Sequence, residues 1–274
     1  MSLTLGVFSG ALRAWQPEQI AAAAAATALD TLEWEVGAGE RAHISLGSFQ
    51  RDASHCIELT ERAGLSICGV CGDASLSILS PRDVGALLAA CAAAGVTEAR
   101  MFAPAPTRET PIRPQLETLR EALRSYEPAL EANGATLLIE LSQETLVPSP
   151  ELFLSVCGDL SPDRYGVLYD PGNMLEEGWL EPPFAIDLMG EYLKRVHLKN
   201  ERFVEGPAGW SPEIAEIDRG LVDWRAVFRE LERAGYTGAV VIDHLSGTAD
   251  EARLKGDVDT ARRLWNERRP DDSA

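Results

Sequence analysis

The chain has 274 residues, which is enough for one large barrel or for two smaller domains. It carries 25 lysines and arginines against 43 aspartates and glutamates, giving a formal net charge of −18. Because nucleic-acid binding depends on clustered cations, this balance argues against a nucleic-acid partner. No apolar run reaches about eighteen residues and the N-terminus lacks a basic signal region, so we expect no membrane span and no signal peptide.

The cysteines indicate a reducing compartment. There are five of them, an odd number, so we expect free thiols and a cytoplasmic protein. Cys68 and Cys71 have the C-x-x-C spacing, but the sequence has no second pair for a zinc site. Their segment resembles a strand, in which residues three apart face opposite ways, so we interpret both as small core residues.

Strand-like and helix-like segments alternate along the whole chain. The predicted strands are Leu3–Phe8, Thr31–Val36, Leu65–Val70, Ala99–Phe102, Thr136–Leu141, Tyr165–Tyr169, Arg195–Leu198 and Ala239–Ile242. The predicted helices are Pro17–Ala28, Phe49–Ala63, Pro81–Ala94, Pro114–Ala132, Pro150–Cys157, Phe184–Lys194, Trp224–Ala234 and Asp250–Glu267. Ser80, Ser149 and Asp223 are typical of helix starts, and Gly95 and Gly134 are typical of helix ends.

These βα units have short connections and no linker, which predicts one domain over residues 1–274. The simplest closed architecture is a single (β/α)8 TIM barrel of the α/β class. An open doubly wound sheet is the alternative. Its usual glycine-rich phosphate loop after the first strand is missing, because the segment FSGALRAW has one glycine.

Charged side chains stand at the ends of four consecutive predicted strands. The residues are Glu140, Asp170, His197 and Asp243. In a barrel of this kind the carboxyl ends of the strands form the active site, so these groups would converge. Three carboxylates cannot all stay ionised in an apolar pocket without a cation. Oxygen ligands and one imidazole suit a single divalent ion such as Mn²⁺, Mg²⁺, Co²⁺ or Zn²⁺.

Several motifs together resemble one known family. They are LEW at Leu32–Trp34, Glu140 in the fifth strand, YDPGN from Tyr169, HLK from His197 and GYTGAVVID ending at Asp243. With them the sequence resembles the xylose isomerase-like TIM barrel superfamily, in its sugar isomerase and epimerase branch. The resemblance implies one divalent metal held by Glu140, Asp170, His197 and the strand-eight position. The chain departs from the family at Asp243, where Glu is usual, and at Asn173, where His is frequent.

The resemblance implies a metal-dependent isomerase or epimerase acting on a small keto sugar or polyol. Glu140 and Asp243 would be the catalytic carboxylates, one on each side of the substrate carbon, removing and returning a proton. Asn173 would contact the substrate, although an amide cannot act as an acid or base. The sequence leaves the substrate undetermined, and it is compatible with a homo-oligomer.

Two further charged residues are candidates for substrate binding. Lys199 shares the inward direction of His197 and could polarise a substrate oxygen, or it could form a salt bridge that stabilises the acidic site. Glu33, near the end of the second strand, could bind a sugar hydroxyl, or it could form an ion pair in the barrel wall. The remaining histidines are interpreted as structural or surface residues: His43, His55 and His244. The aromatic residues that could stack on a sugar are Trp15, Phe102, Trp179 and Trp210.

Other functions remain as alternatives on the same scaffold. A lyase that dehydrates a keto-inositol would use the same metal but expel a hydroxyl. A non-catalytic sugar-binding protein would retain the fold, and Asn173 and Asp243 keep this alternative open. An abasic-site nuclease needs several metals, many histidines and a basic groove, and this chain has four histidines and a net charge of −18.

Overall fold

The computed structural model describes residues 2–39, 42–178, 180–207, 209–245, 247 and 249–268. The strands are β1 (Leu5–Phe8), β2 (Thr31–Gly37), β3 (Ile44–Ser45), β4 (Ser66–Gly72), β5 (Glu98–Phe102), β6 (Thr136–Glu140), β7 (Tyr165–Tyr169), β8 (Leu193–Leu198), β9 (Glu201–Gly206), β10 (Gly209–Ile214) and β11 (Val240–Ile242). The helices are α1 (Pro17–Ala26), α2 (Phe49–Arg62), α3 (Pro81–Ala94), α4 (Ile112–Asn133), α5 (Pro150–Cys157), α6 (Met174–Glu177), α7 (Pro182–Met189), α8 (Trp224–Arg233) and α9 (Glu251–Asn266).

Eight parallel strands form a closed barrel. Their order around the barrel is β1, β2, β4, β5, β6, β7, β8 and β11, and β1 pairs with both β2 and β11 to close it. The predicted (β/α)8 fold is therefore confirmed, and the open doubly wound alternative is wrong because an open sheet has two unpaired edges. Closure brings the carboxyl ends of all eight strands to one end of the barrel.

The predicted helix starts and ends follow from local chemistry. The side chains of Ser80 and Ser149 each accept a hydrogen bond from a backbone N–H of the first turn, and Asp223 accepts two. Gly95 and Gly134 end α3 and α4 with φ of 65° and 59°, a conformation that glycine adopts without a steric penalty. These caps fix where each helix begins and ends, and so they set the orientation of the strands that follow.

One predicted helix boundary is wrong. The helix predicted over Phe184–Lys194 ends at Met189, and β8 already begins at Leu193. Gly190 has φ of 49°, which takes the chain out of the right-handed helix. The chain then enters β8, which pairs with β7 and β11 and so forms part of the barrel wall.

The segment between Asn200 and Arg219 also differs from expectation. The sequence pattern predicts no strand or helix there, whereas the structure shows β9 and β10 paired as an antiparallel hairpin. Most of the hairpin side chains are exposed, so it lacks the buried alternation by which strands are recognised. The hairpin follows β8 and lies at the end of the barrel where the carboxyl ends of the strands meet.

Most buried apolar residues of the barrel and its helices form one core, and a small second cluster contains Phe8, Cys71, Ala239 and Val241. All five cysteines are free, as expected, and four of them are buried. Burial raises the pKa of the Cys71 thiol to about 12, so this side chain stays protonated and packs as a small apolar group. Among the described residues, no helix is both long enough and apolar enough to cross a membrane.

Candidate functional site

A cavity of about 390 Å³ opens at the carboxyl ends of the strands. Its wall includes four of the predicted site residues, Glu140, Asn173, Lys199 and Asp243. Asp170 and His197 lie just behind that wall, and both are fully buried. A larger hollow of about 500 Å³ lies at the opposite end of the barrel, and none of the predicted site residues lines it. The predicted site residues therefore lie at the smaller cavity.

Three of the predicted metal ligands converge. Glu140, Asp170 and His197 each offer one ligand atom, and these atoms lie within 4.8 Å of one another. Each residue also has a buried polar atom without a hydrogen-bond partner among the described residues: Glu140 Oε2, Asp170 Oδ2 and His197 Nδ1. Unpaired buried acceptors are costly, and a cation would satisfy them. Two carboxylates and an imidazole therefore fit one divalent ion.

Glu33 determines which nitrogen of His197 faces the cluster. His197 Nε2 lies 2.8 Å from Glu33 Oε2, and Arg195 pairs with the other oxygen of the same carboxylate. A carboxylate favours a proton on the nitrogen that it contacts, so Nε2 is committed to Glu33, and Nδ1, which faces Asp243 and the cluster, is the nitrogen that would offer its lone pair to a bound cation. Glu33 is fully buried behind the cavity wall and forms an ion pair with Arg195, as one of the two alternatives predicted. We therefore do not propose Glu33 as a sugar ligand.

Asp170 ends its strand in a turn that orients the carboxylate. Its Oδ1 accepts hydrogen bonds from the backbone N–H of Gly172 at 2.8 Å and of Asn173 at 3.1 Å. This is the geometry expected for an Asp that begins a turn, and it fixes the direction of the carboxylate. The other oxygen, Oδ2, is left without a hydrogen bond and lies 3.8 Å from Lys199 Nζ.

Asn173 links two sides of the cavity. Its Nδ2 donates to Glu140 Oε1 at 3.1 Å and to the Leu141 carbonyl at 3.0 Å. Its Oδ1 accepts a hydrogen bond from Lys199 Nζ, which also lies 3.1 Å from Glu201 Oε1. Lys199 is therefore part of a salt-bridge network and still lines the cavity. The amide holds Glu140 Oε1, the oxygen that lies 3.9 Å from His197 Nδ1, while the other oxygen, Oε2, lies beside the guanidinium of Arg100.

Arg100 was missed by sequence reasoning. It lies in β5, is buried, lines the cavity, and places its Nε 3.0 Å from Glu140 Oε2 without hydrogen-bond alignment. Its Nη1 donates to the Gly72 carbonyl at 2.9 Å. The available signal was a charged residue in the middle of the apolar strand EARMF.

The pKa of Glu140 is raised from its ordinary value. Burial is the main cause, and the carboxylates of Asp243 and Asp170 act in the same direction. Arg100 and His197 oppose the shift by favouring the ionised carboxylate. A carboxylate with a raised pKa is a stronger base than one in water, which suits proton transfer.

Asp243 contacts two histidines. Its Oδ1 lies 3.2 Å from His197 Nδ1, and its Oδ2 lies 2.6 Å from His244 Nδ1. His244, interpreted from the sequence as a structural or surface residue, lines the cavity, because β11 ends at Ile242 and the next residues turn into the cavity wall. Asp243 lies beside the three-residue cluster without belonging to the set within 4.8 Å. Its service as a fourth ligand stays a prediction.

The aromatic candidates have different positions. Phe102 lines the cavity, with the Arg100 guanidinium 4.3 Å from its ring centre. Trp15 lies in a neighbouring hollow and donates to the Ala249 carbonyl at 3.3 Å. Trp210 stands on the hairpin with 68 % of its surface exposed. Trp179 lies outside the described residues. Two of the remaining histidines, His43 and His55, lie away from the cavity.

A second group of ligand atoms overlaps with the first. Glu33, Cys71 and His197 also offer atoms within 4.8 Å of one another. This group is less suited to a metal, because Glu33 is already paired with Arg195 and His197. The Cys71 thiol, whose pKa burial raises to about 12, stays protonated and is a poor ligand in that form. The cluster of Glu140, Asp170 and His197 is therefore the better candidate.

Solved structures with the same fold cover nearly the whole chain. A xylose isomerase-like TIM barrel protein from Mycobacterium smegmatis in complex with magnesium is 16% identical, with a TM-score of 0.73, and 97% of this chain and 98% of that chain are covered. D-psicose 3-epimerase from Clostridium cellulolyticum H10, solved with D-tagatose, is 18% identical, with a TM-score of 0.71 and coverage of 96% and 99%. The 3-keto-D-glucoside 4-epimerase from E. coli is 16% identical, with a TM-score of 0.73 and coverage of 97% and 100%.

At these identities the likeness to solved structures shows the fold alone. No curated protein matches the sequence. The family assignment comes from the family model for the xylose isomerase-like TIM barrel, which matches residues 21–264. That range contains the four strand-end residues and every strand of the barrel except β1. By this match, the chain belongs to the xylose isomerase-like TIM barrel family.

Proposed function

We propose that the chain is a divalent-metal-dependent isomerase or epimerase of a small keto sugar or polyol. One observation carries the proposal: Glu140, Asp170 and His197 converge beside a cavity that also holds Asp243. Sugar epimerases are among the solved structures with this fold, which supports the class of enzyme and leaves the substrate open.

The metal would be held by Glu140, Asp170 and His197, with Asp243 as the predicted fourth ligand. A bound divalent ion would act as a Lewis acid on the carbonyl and the neighbouring hydroxyl of the substrate. Glu33 would keep the His197 ring oriented through its contact with Nε2. Mn²⁺, Mg²⁺, Co²⁺ and Zn²⁺ all accept this set of oxygen and nitrogen ligands.

Two carboxylates would move the proton. Glu140 is the proposed base that takes a proton from the carbon next to the carbonyl, and Asp243 is proposed to return one. His197 Nδ1 lies 3.9 Å from Glu140 Oε1 and 3.2 Å from Asp243 Oδ1, so the two carboxylates approach the imidazole together. Return to the opposite face of the same carbon gives epimerisation, and return to the neighbouring carbon gives isomerisation.

The polar wall would hold the sugar. Lys199 and Asn173 line the cavity and are already oriented by their mutual hydrogen bond, so they are proposed to bind substrate oxygens. Arg100 also lines the cavity next to Glu140, and its guanidinium has donors suited to a hydroxyl or carbonyl oxygen. Fixed donors of this kind position the substrate carbon against the base.

The test combines metal content with proton exchange. The metal-free protein is loaded with each of the four ions and incubated in D₂O with a panel of unphosphorylated ketoses, and deuterium incorporation is followed by mass spectrometry. We expect about one ion per chain and exchange into at least one ketose. His197→Ala should lose both, whereas His55→Ala, which changes an exposed histidine on α2, should keep both.

The products separate the alternatives. Deuterium in a recovered sugar with altered configuration or carbonyl position supports the proposal. Loss of water from a keto-inositol would identify a dehydratase instead. Metal and sugar binding without any exchange would indicate a non-catalytic sugar-binding protein. Equal metal occupancy in His197→Ala and the parent would show that His197 is not a ligand.

A further inference from the structure

The β9–β10 hairpin has two chemically different faces. Residues paired across an antiparallel ribbon share a face, and faces alternate along each strand. One face carries Arg202 and Glu213, which form an ion pair at 2.8 Å, together with Ser211 and its cross-strand partner Val204. The other face carries Phe203, Pro212 and Trp210, and Glu205 lies across the ribbon from Trp210.

The apolar face is exposed to solvent. Phe203 has 39 % and Trp210 has 68 % of its surface exposed, and Pro212, the cross-strand partner of Phe203, is also exposed. Single exposed apolar residues are ordinary on protein surfaces, whereas two aromatic rings and a proline on one face of a short ribbon form a patch. A patch of this kind indicates a surface that binds something.

The same face continues into the cavity. At the base of the hairpin Glu201 pairs with Ile214, and both line the cavity wall. Glu201 is held in place by Lys199 Nζ at 3.1 Å, so the base of the ribbon is anchored to the polar site. Phe203 follows Glu201 by two residues and Trp210 precedes Ile214 by four, which puts all four on one face. The patch is therefore an extension of the cavity wall from its mouth outward.

We propose that the apolar face of the hairpin is a subsite for an apolar substituent of the substrate. The polar cavity would take the sugar ring, and Phe203, Pro212 and Trp210 would cover an aryl or alkyl group attached to it through a glycosidic oxygen. The inference rests on the proposed function and deepens it: the substrate is a keto sugar in glycosidic form. Flat aromatic side chains suit this task, because they bury apolar area at a small cost in side-chain entropy.

The experiment compares two glycosides of the same sugar. The probes are methyl and phenyl 3-keto-β-D-glucosides, and kcat/KM for deuterium exchange is measured for each with the metal-loaded protein. We expect the phenyl glycoside to be favoured by about tenfold or more, the effect of partly burying one aromatic ring. The double variant Phe203→Ser/Trp210→Ala should reduce this preference to nearly one and leave kcat/KM for the methyl glycoside unchanged.

A matched control has an exposed aromatic residue elsewhere. Phe184 on α7 has 64 % of its surface exposed, so Phe184→Ala removes a comparable apolar area outside the hairpin and should retain the phenyl preference. Equal kcat/KM for the two probes in the parent would overturn the proposal. So would a parent dimer that the double variant converts to monomer in light scattering, because the face would then be an interface between copies.

Failure of the proposed function gives a different result. If the parent exchanges neither probe nor any free ketose, binding of the two glycosides is measured by calorimetry. Tighter binding of the phenyl glycoside that the double variant loses would support the subsite although the chemistry is wrong. Equal affinity for the two glycosides would overturn the subsite as well.

Discussion

Two charge clusters lie inside the barrel, a lower cluster near the amino ends of the strands and an upper cluster near their carboxyl ends. They differ in how completely their charges are paired. Nearer the amino ends of the strands, Arg195 pairs with Glu33 and Glu98 and donates to the Cys68 carbonyl. Nearer the carboxyl ends, the cluster of Glu140, Asp170 and His197 retains buried atoms without hydrogen-bond partners among the described residues. The lower cluster is paired through the chain's own side chains, and the upper cluster holds buried atoms that a divalent cation would satisfy.

The comparison shows that the pairing of buried polar atoms distinguishes charges that stabilise the fold from charges that are candidates for binding a ligand. A buried ion pair with every charge matched adds little or no stability but is costly to break. A buried group of carboxylates with unmatched atoms is costly, which indicates a bound ion, an ordered water or a catalytic role at that place. His197 belongs to the upper cluster and contacts Glu33 of the lower one, so the lower cluster orients the imidazole of the upper cluster.

The largest expected effect is on stability and concerns the lower cluster. Arg195→Met should lower the free energy of unfolding by about 3–5 kcal/mol, because Glu33 loses its main partner and stays buried. Arg62→Met is the matched control: Arg62 is exposed and pairs with Glu58 one helical turn away, so we expect a change within about 0.5 kcal/mol. Urea unfolding measures both, and equal losses would show that the lower cluster is not structural.

The next effect is on chemistry and concerns the upper cluster. Glu140→Gln keeps the shape of the side chain but removes the basic oxygen, so deuterium exchange into the substrate should fall by about a hundredfold or more. Glu121→Gln changes an exposed carboxylate on α4 and should leave exchange at the parental rate. Parental exchange in Glu140→Gln would remove this residue from the mechanism.

Glu33, which links the two clusters, should have an intermediate effect on metal affinity. Glu33→Gln removes the charge behind His197 Nε2, and we expect metal affinity to weaken by about ten- to a hundredfold, with metal still bound at high concentration. Calorimetric titration with Mn²⁺ measures this on the folded fraction. Unchanged affinity would mean that Glu33 only balances Arg195 and has no influence on the metal site.

The smallest effect concerns the departure from the family pattern. Asp243→Glu lengthens the side chain by one methylene, which should bring the carboxylate nearer to the cluster of Glu140, Asp170 and His197. We expect metal affinity at least equal to that of the parent and turnover of a ketose raised by several fold, because a displacement of about 1 Å can cost roughly a hundredfold in rate. Lower turnover with unchanged metal content would show that the His244 contact of Asp243 is required.

The sequence predicted the barrel because its periodic signals were local. Strand-ending residues such as Glu140 and Asp170 follow continuous apolar runs, and helix starts such as Ser80 and Ser149 have side chains that cap their own helices. The β9–β10 hairpin was missed because its exposed strands have no buried face to produce alternation. The position of His244 beside the cavity could not be predicted, because β11 is three residues long and ends before it.

The sequence by itself determined which residues converge, since parallel strands in a closed barrel bring their carboxyl ends together whatever the intervening helices contain. The tertiary structure decided the partners. That Glu33 faces His197 and Arg195, that Arg100 lies beside Glu140, and that Asp243 contacts two histidines depend on the register between strands distant in sequence. A carboxylate at a strand end has the same sequence signature in an ion pair as in a metal site. Its role depends on whether its buried oxygens find partners in the fold, and those partners come from elsewhere in the chain.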